Sequence, residues 1–99
     1  MPRLTIDRQL LLLVSLAAGP KHGYALMKDI QTSSGIRIGA GTLYGCLASL
    51  EENGLIVALP IENRRQPYEL TKLGQKELKE HLIEAAKLSK LGLARLTTS

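Results

Sequence analysis

Thr42, Tyr44, Gly45, Cys46, Ala48 and Ser49 are small or hydrogen-bonding residues without charge, interleaved with Leu43, Leu47 and Leu50. The leucines fall at i, i+4 and i+7, one apolar stripe on a helix. A solvated helix normally carries Lys and Glu opposite such a stripe. A smooth, short-chained polar face instead suits a helix lying deep in a duplex major groove. Thr42, Tyr44, Gly45 and Ser49 are therefore expected at base edges or nearby phosphates. Tyr44 sits at the margin of the stripe, where turning inward is the other reading. Arg64 and Arg65 lie in the polar stretch Glu62-Asn63-Arg64-Arg65-Gln66-Pro67, placed for phosphates or a narrow minor groove. Lys21, His22 and Arg37 stand near helix starts, where free backbone N–H groups also attract phosphate. Tyr24 completes the candidate DNA-binding set.

Other chemistries are poorly supported. Gly39-Ala40-Gly41-Thr42 lacks the lysine of a phosphate-binding loop. Cys46 is the single cysteine, which rules out an internal disulfide and a cysteine zinc site. His22 and His81 have no ligand spacing around them, so no metal or cofactor is expected. No Ser/His/Asp or Cys/His set stands out, and the chain does not read as an enzyme. The net charge of +4 and the pI near 9.5 permit an anionic partner. The charge is spread, with eight basic against six acidic residues in 1–75 and five against three in 76–99. Position, not total charge, must carry a nucleic-acid argument. The apolar run from Leu10 is too short to span a bilayer, and Asp7 before it does not fit a secretory leader. The expectation is a cytoplasmic protein, nucleoid-associated when bound to DNA.

The elements that would position these residues can be read along the chain. Thr5 or Asp7 caps a first helix over about Ile6–Ala18, apolar nearly all round and so expected mid-fold. Gly19-Pro20 stops it. A second helix spans about His22–Ser33, and Ile36-Arg37-Ile38 has the β-branched pattern of a very short strand. Thr42 is the expected N-cap of the third helix, and Gly54 suits its left-handed C′ position. Leu55–Ile61 and Tyr68–Thr71 read as strands around the basic turn, with Pro67 weakening the second strand's start or marking it as an edge. Thr71 then caps a last helix from Lys72 to about Leu96. With three Tyr and no Phe or Trp, the core must be aliphatic.

In that last helix Leu78, Leu82, Ala85, Ala86, Ser89, Leu93 and Leu96 share a narrow arc at about 100° per residue. This is more amphipathic surface than the preceding core can cover, and its small central residues admit a close neighbour. The stripe is read as a homodimerisation face. The fold class is thus mainly α with a small β wing (α+β): a winged helix-turn-helix over 1–73, with a C-terminal dimerisation helix over 74–99.

Leu16 to Tyr24 (LAAGPKHGY), Gly39 to Tyr44 (GAGTLY), Leu47 to Ile56 (LASLEENGLI) and Arg64 to Gly74 (RRQPYELTKLG) together resemble the PadR family of bacterial transcription regulators. The resemblance covers roughly residues 4–75, and the short remainder looks like the subclass with one dimerisation helix. The chain departs from the family pattern at Gly45, at Ala48-Ser49 and at Pro67. The resemblance implies a homodimeric repressor on a palindromic double-stranded DNA operator, with a small-molecule effector at the dimer interface. The alternative is a winged-helix protein-interaction module without specific DNA readout.

Overall fold

The computed structural model describes residues 7–98, so the Thr5 cap and the Ile6 helix start lie outside the described residues. Helix α1 spans Arg8–Ala17 and is capped by Asp7, whose side chain accepts from the Gln9 N–H at 2.9 Å. Its apolar girth puts it in the middle, as expected: α1 packs against α2, α3, α4 and β3. Lys21–His22 form the short strand β1, and α2 follows directly over Gly23–Ser34. Gly35 ends α2 in the left-handed conformation, with φ of 75°. Helix α3 covers Ala40–Glu52, β2 Ile56–Ala58, β3 Pro67–Leu70 and α4 Lys72–Thr98.

The core is aliphatic throughout: Leu12, Leu13 and Leu16 from α1, Leu26 and Ile30 from α2, the three α3 leucines, Ile38, Ile56 and Leu78. Three antiparallel strands lie beside it in the order β1-β3-β2, with Lys21 opposite Tyr68 and Val57 opposite Glu69.

Three expectations are corrected. Ile36–Ile38 is not a strand; both edges of β3 are occupied by β1 and β2, so the segment stays a loop that buries Ile38. Thr42 is not the N-cap of α3. The helix begins earlier, capped by extended Gly39 without a side-chain bond, and Leu43 N–H donates to the Gly39 carbonyl at 2.9 Å. Pro67 does not mark an edge, because β3 is the middle strand. The missing Pro67 N–H is replaced: Leu59 N–H donates to the Pro67 carbonyl at 2.9 Å, and the Gln66 side-chain amide donates back to the Leu59 carbonyl.

The expected α3 terminus is present. Gly54 has φ of 76°, Leu55 N–H reaches the Leu50 carbonyl and Gly54 N–H the Glu51 carbonyl, both at 3.0 Å. This Schellman ending passes the chain straight into β2. Thr71 then seats α4 on the same junction. Its hydroxyl donates to the Gly54 carbonyl at 2.6 Å and accepts the Gly74 N–H at 2.9 Å.

Candidate nucleic-acid interface

The outward side of α3 is bare through its first turns. Ala40, Gly41, Thr42, Tyr44, Gly45 and Ala48 are exposed, whereas Cys46 and Ser49 are half-buried. Only at the end do charges enter, with exposed Glu51 and Glu52. Ser49 lies apart from the outward cluster: its hydroxyl accepts from the Gln9 side-chain amide at 3.2 Å, turned toward α1. Tyr44 remains 54% exposed, and the inward reading is answered by a partial one. Its ring lies over α2's start, where a Cβ added to Gly23 would stand 2.6 Å from the phenol oxygen. The missing side chain of Gly23 is what admits the ring.

The wing tip is a tight hairpin. Glu62 and Arg65 exchange backbone bonds of 3.0 and 2.8 Å across Asn63 and Arg64, whose φ values are 49° and 64°. Two consecutive positive φ values are the signature of a type I′ turn, which matches strand twist but normally prefers Gly in its second position. Arg64 holds that position, so its exposed side chain is carried at the tip. Arg65 turns back toward α2, with its Nη1 3.1 Å from His22 Nε2. The other ring nitrogen of His22 faces the start of α2, with Nδ1 3.3 Å from the Ala25 backbone nitrogen.

A hollow of about 450 Å³ therefore opens between α2's start, α3 and the wing, lined by His22, Gly23, Tyr24, Tyr44, Arg64, Arg65 and Gln66. Five of the residues singled out in the sequence for DNA meet here. Arg37 is exposed in the α2–α3 loop. Lys21 is drawn elsewhere: its ammonium donates to the Ser15 carbonyl in the last turns of α1, where helix carbonyls favour a cation. Behind it, Ser15, the one buried polar residue among those described, donates its hydroxyl to Asp29 Oδ2 at 2.5 Å. That bond chiefly holds the Asp29 carboxyl below its ordinary pKa. Desolvation opposes it, and Ser33 and Lys21 add to it. Half-buried Tyr68 on β3 has its phenol pKa raised, by burial first and then by Glu51 and Tyr44.

The α4 stripe divides. Leu78 is 5% exposed and belongs to the chain's own core, because the first turns of α4 still lie over α1. Beyond it Leu82, Ala86, Ser89, Leu93 and Leu96 are exposed and Ala85 is half-buried. Ile83, Leu88 and Leu91 are exposed as well and widen the apolar surface past the arc read from the sequence.

Gln66, Gly23 and Gly74 were not legible as site or support residues. Only the proline at 67 hinted that a neighbouring side chain must supply a donor.

Two helices joined by a short loop, the second bare on its outer face, beside an arginine-tipped hairpin, define a winged helix. The family model for PadR-like transcriptional regulators matches residues 12–80, and the chain belongs to that family. A structure of a transcriptional regulator from Clostridium thermocellum, Cth-833, is similar at 31% identity and a TM-score of 0.77, over 85% of this chain and 87% of that one. A PadR family transcription regulator from Clostridium difficile R20291 shares the fold, with a TM-score of 0.77 at 24% identity, over 84% of this chain and 91% of that one. An uncharacterized 37.1 kDa protein in transposon TN4556 of Streptomyces fradiae is 44% identical over 85 residues, 86% of this chain. The chain spans a quarter of that relative's length (25%). The chain thus carries the DNA-binding fold of a family of transcriptional regulators. No helix among the described residues is long and apolar enough to cross a membrane.

Proposed function

We propose that the chain is a cytoplasmic repressor that binds a near-palindromic operator as a homodimer. Each protomer places α3 in a major groove, with half-sites about one helical turn, roughly 34 Å, apart. Thr42, Tyr44 and Gly45 face base edges and phosphates, Arg64 and Arg65 reach the flanking backbone or minor groove, and Tyr24 and Arg37 border the contact. Residues 1–73 form the DNA-binding part and 74–99 the pairing helix, through Leu82, Ala85, Ala86, Ser89, Leu93 and Leu96. A small-molecule effector at the paired helices would release the DNA.

The observation carrying this reading is the hollow that gathers Tyr24, Tyr44, Arg64 and Arg65 beside an uncharged helix face. Side chains of Lys or Glu along the first turns of α3 would hold it off the base edges; none is there. An electrophoretic shift on the DNA upstream of the chain's own coding region tests it. Replacing Arg64 and Arg65 with Ala weakens binding to any duplex and lowers the salt slope by roughly one to two units. Unchanged affinity and slope would remove the wing from the interface, and sedimentation showing only single chains would remove the dimer.

A further inference from the structure

His22 stands between two groups that can only donate. On one side the Ala25 backbone N–H points at Nδ1 from 3.3 Å; on the other the Arg65 guanidinium reaches Nε2 at 3.1 Å. A guanidinium has no acceptor, and neither has a backbone N–H. A neutral imidazole has one bare nitrogen and one N–H, so it satisfies one of these neighbours at a time and turns an N–H toward the other. Capping of α2 and docking of the wing therefore compete for a single lone pair.

We propose that His22 is a positioning residue for the wing: in the free protein it holds Arg65 through Nε2, and it reverts to capping α2 when the guanidinium leaves. The guanidinium contact is both the shorter of the two and charge-assisted, which favours it over the neutral cap. The Ala25 N–H is in the first turn of α2, where water can substitute as acceptor. Departure of Arg65 to a phosphate moves the ring proton from Nδ1 to Nε2. The new Nε2–H is then free on a side chain that lines the same hollow as Tyr24, Tyr44 and Arg64, and can donate to a second phosphate oxygen. One arginine leaving thus adds one donor to the same surface and restores the helix cap. The DNA half of this scheme rests on the function proposed above; the competition within the free protein does not.

The test is the His22 tautomer, read from the ring ¹⁵N resonances of the full chain at pH 8. Wild type is expected to show a bare Nε2 and a protonated Nδ1. Arg65→Ala reverses this to Nε2–H, and Arg65→Lys, which keeps a cationic donor, holds the wild-type form. Arg65 is exposed, so these variants leave the core untouched. A 30-base-pair mixed-sequence duplex at low salt should produce the same reversal in wild type, with binding followed independently by fluorescence anisotropy. Identical tautomers in wild type and Arg65→Ala overturn the proposal. So does a duplex that binds by anisotropy while His22 keeps its free form. Reversal by Arg65→Ala without any binding by anisotropy upholds the competition at His22 and refutes the DNA-binding reading instead.

Discussion

Gly74→Ala separates packing from helix propensity, because the two forecast opposite signs. In an open helix the change stabilises by about 1 kcal/mol. Here a Cβ at Gly74 would lie 2.0 Å from the Leu55 carbonyl oxygen and 2.9 Å from its carbon, whereas ordinary contact begins near 3.4 Å. The obstacle is backbone at the start of β2, so α4 must retreat by more than an ångström. That movement pulls on Thr71, whose N–H donates to the Leu55 carbonyl at 3.1 Å and whose hydroxyl donates to the Gly54 carbonyl at 2.6 Å. It also lifts buried Leu78 from the core. Two weakened hydrogen bonds at about 1 kcal/mol each, with about 1–3 kcal/mol of overpacking, outweigh the propensity gain. The expected net loss is about 2–4 kcal/mol. At about 4–8 °C per kcal/mol for a domain of this size, Tm falls by roughly 8–32 °C. Thermal melts followed by circular dichroism, at one fixed protein concentration, measure it. A Tm equal to or above wild type would refute the claim that α4 is seated backbone to backbone on the α3–β2 junction.

Other perturbations probe the wing and the α1–α2 contact. Arg64→Gly relieves the positive φ and should stabilise the hairpin by about 0.5–1 kcal/mol while lowering the salt slope of duplex binding by about one unit; urea melts and salt titrations read the two effects. Gln66→Ala strands the Leu59 carbonyl and should lower stability by about 1 kcal/mol, visible as faster amide exchange across β2 and β3. Because the Asp29 pKa is lowered in the folded state, its contribution is present above the unfolded carboxylate range and lost as pH falls through the folded value. Asp29→Asn should therefore lower stability near neutrality, change little in acid where the native carboxyl is protonated, and so flatten the acid limb of stability against pH; an unchanged acid limb would exclude the Ser15–Asp29 bond as its source.

What could be read in the residues was what depends on a single element. The girdle of apolar residues in α1, the Schellman ending at Gly54 and the polar tip at Arg64-Arg65 each follow from local pattern, and each is where it was expected. What failed depends on a distant partner. Lys21–His22 become a strand only because Tyr68 and Pro67 arrive beside them, and that same pairing leaves Ile36–Ile38 without an edge. Thr42 is a better cap than Gly39 by only about a few tenths of a kcal/mol, too little to offset an added hydrogen-bonded turn. For Ser49, angular position put it at the rim of the polar face; only the placement of Gln9 decides which way its hydroxyl turns. Periodicity likewise groups Leu78 with Leu82 and Leu93, because it cannot say where a helix leaves the body beneath it.

That departure point has a consequence for dosage. Past Leu78 no described residue of α4 is buried, and helical order in water comes mostly from covering an amphipathic face. Where the cover is another copy, the arm frays in a cell holding few molecules and stiffens as they accumulate. On the homodimer proposed above, two reading heads would become linked only then, and promoter occupancy would climb with the square of supply while copies are scarce. A gene under such control would respond to abundance as a threshold, before any signal molecule arrives.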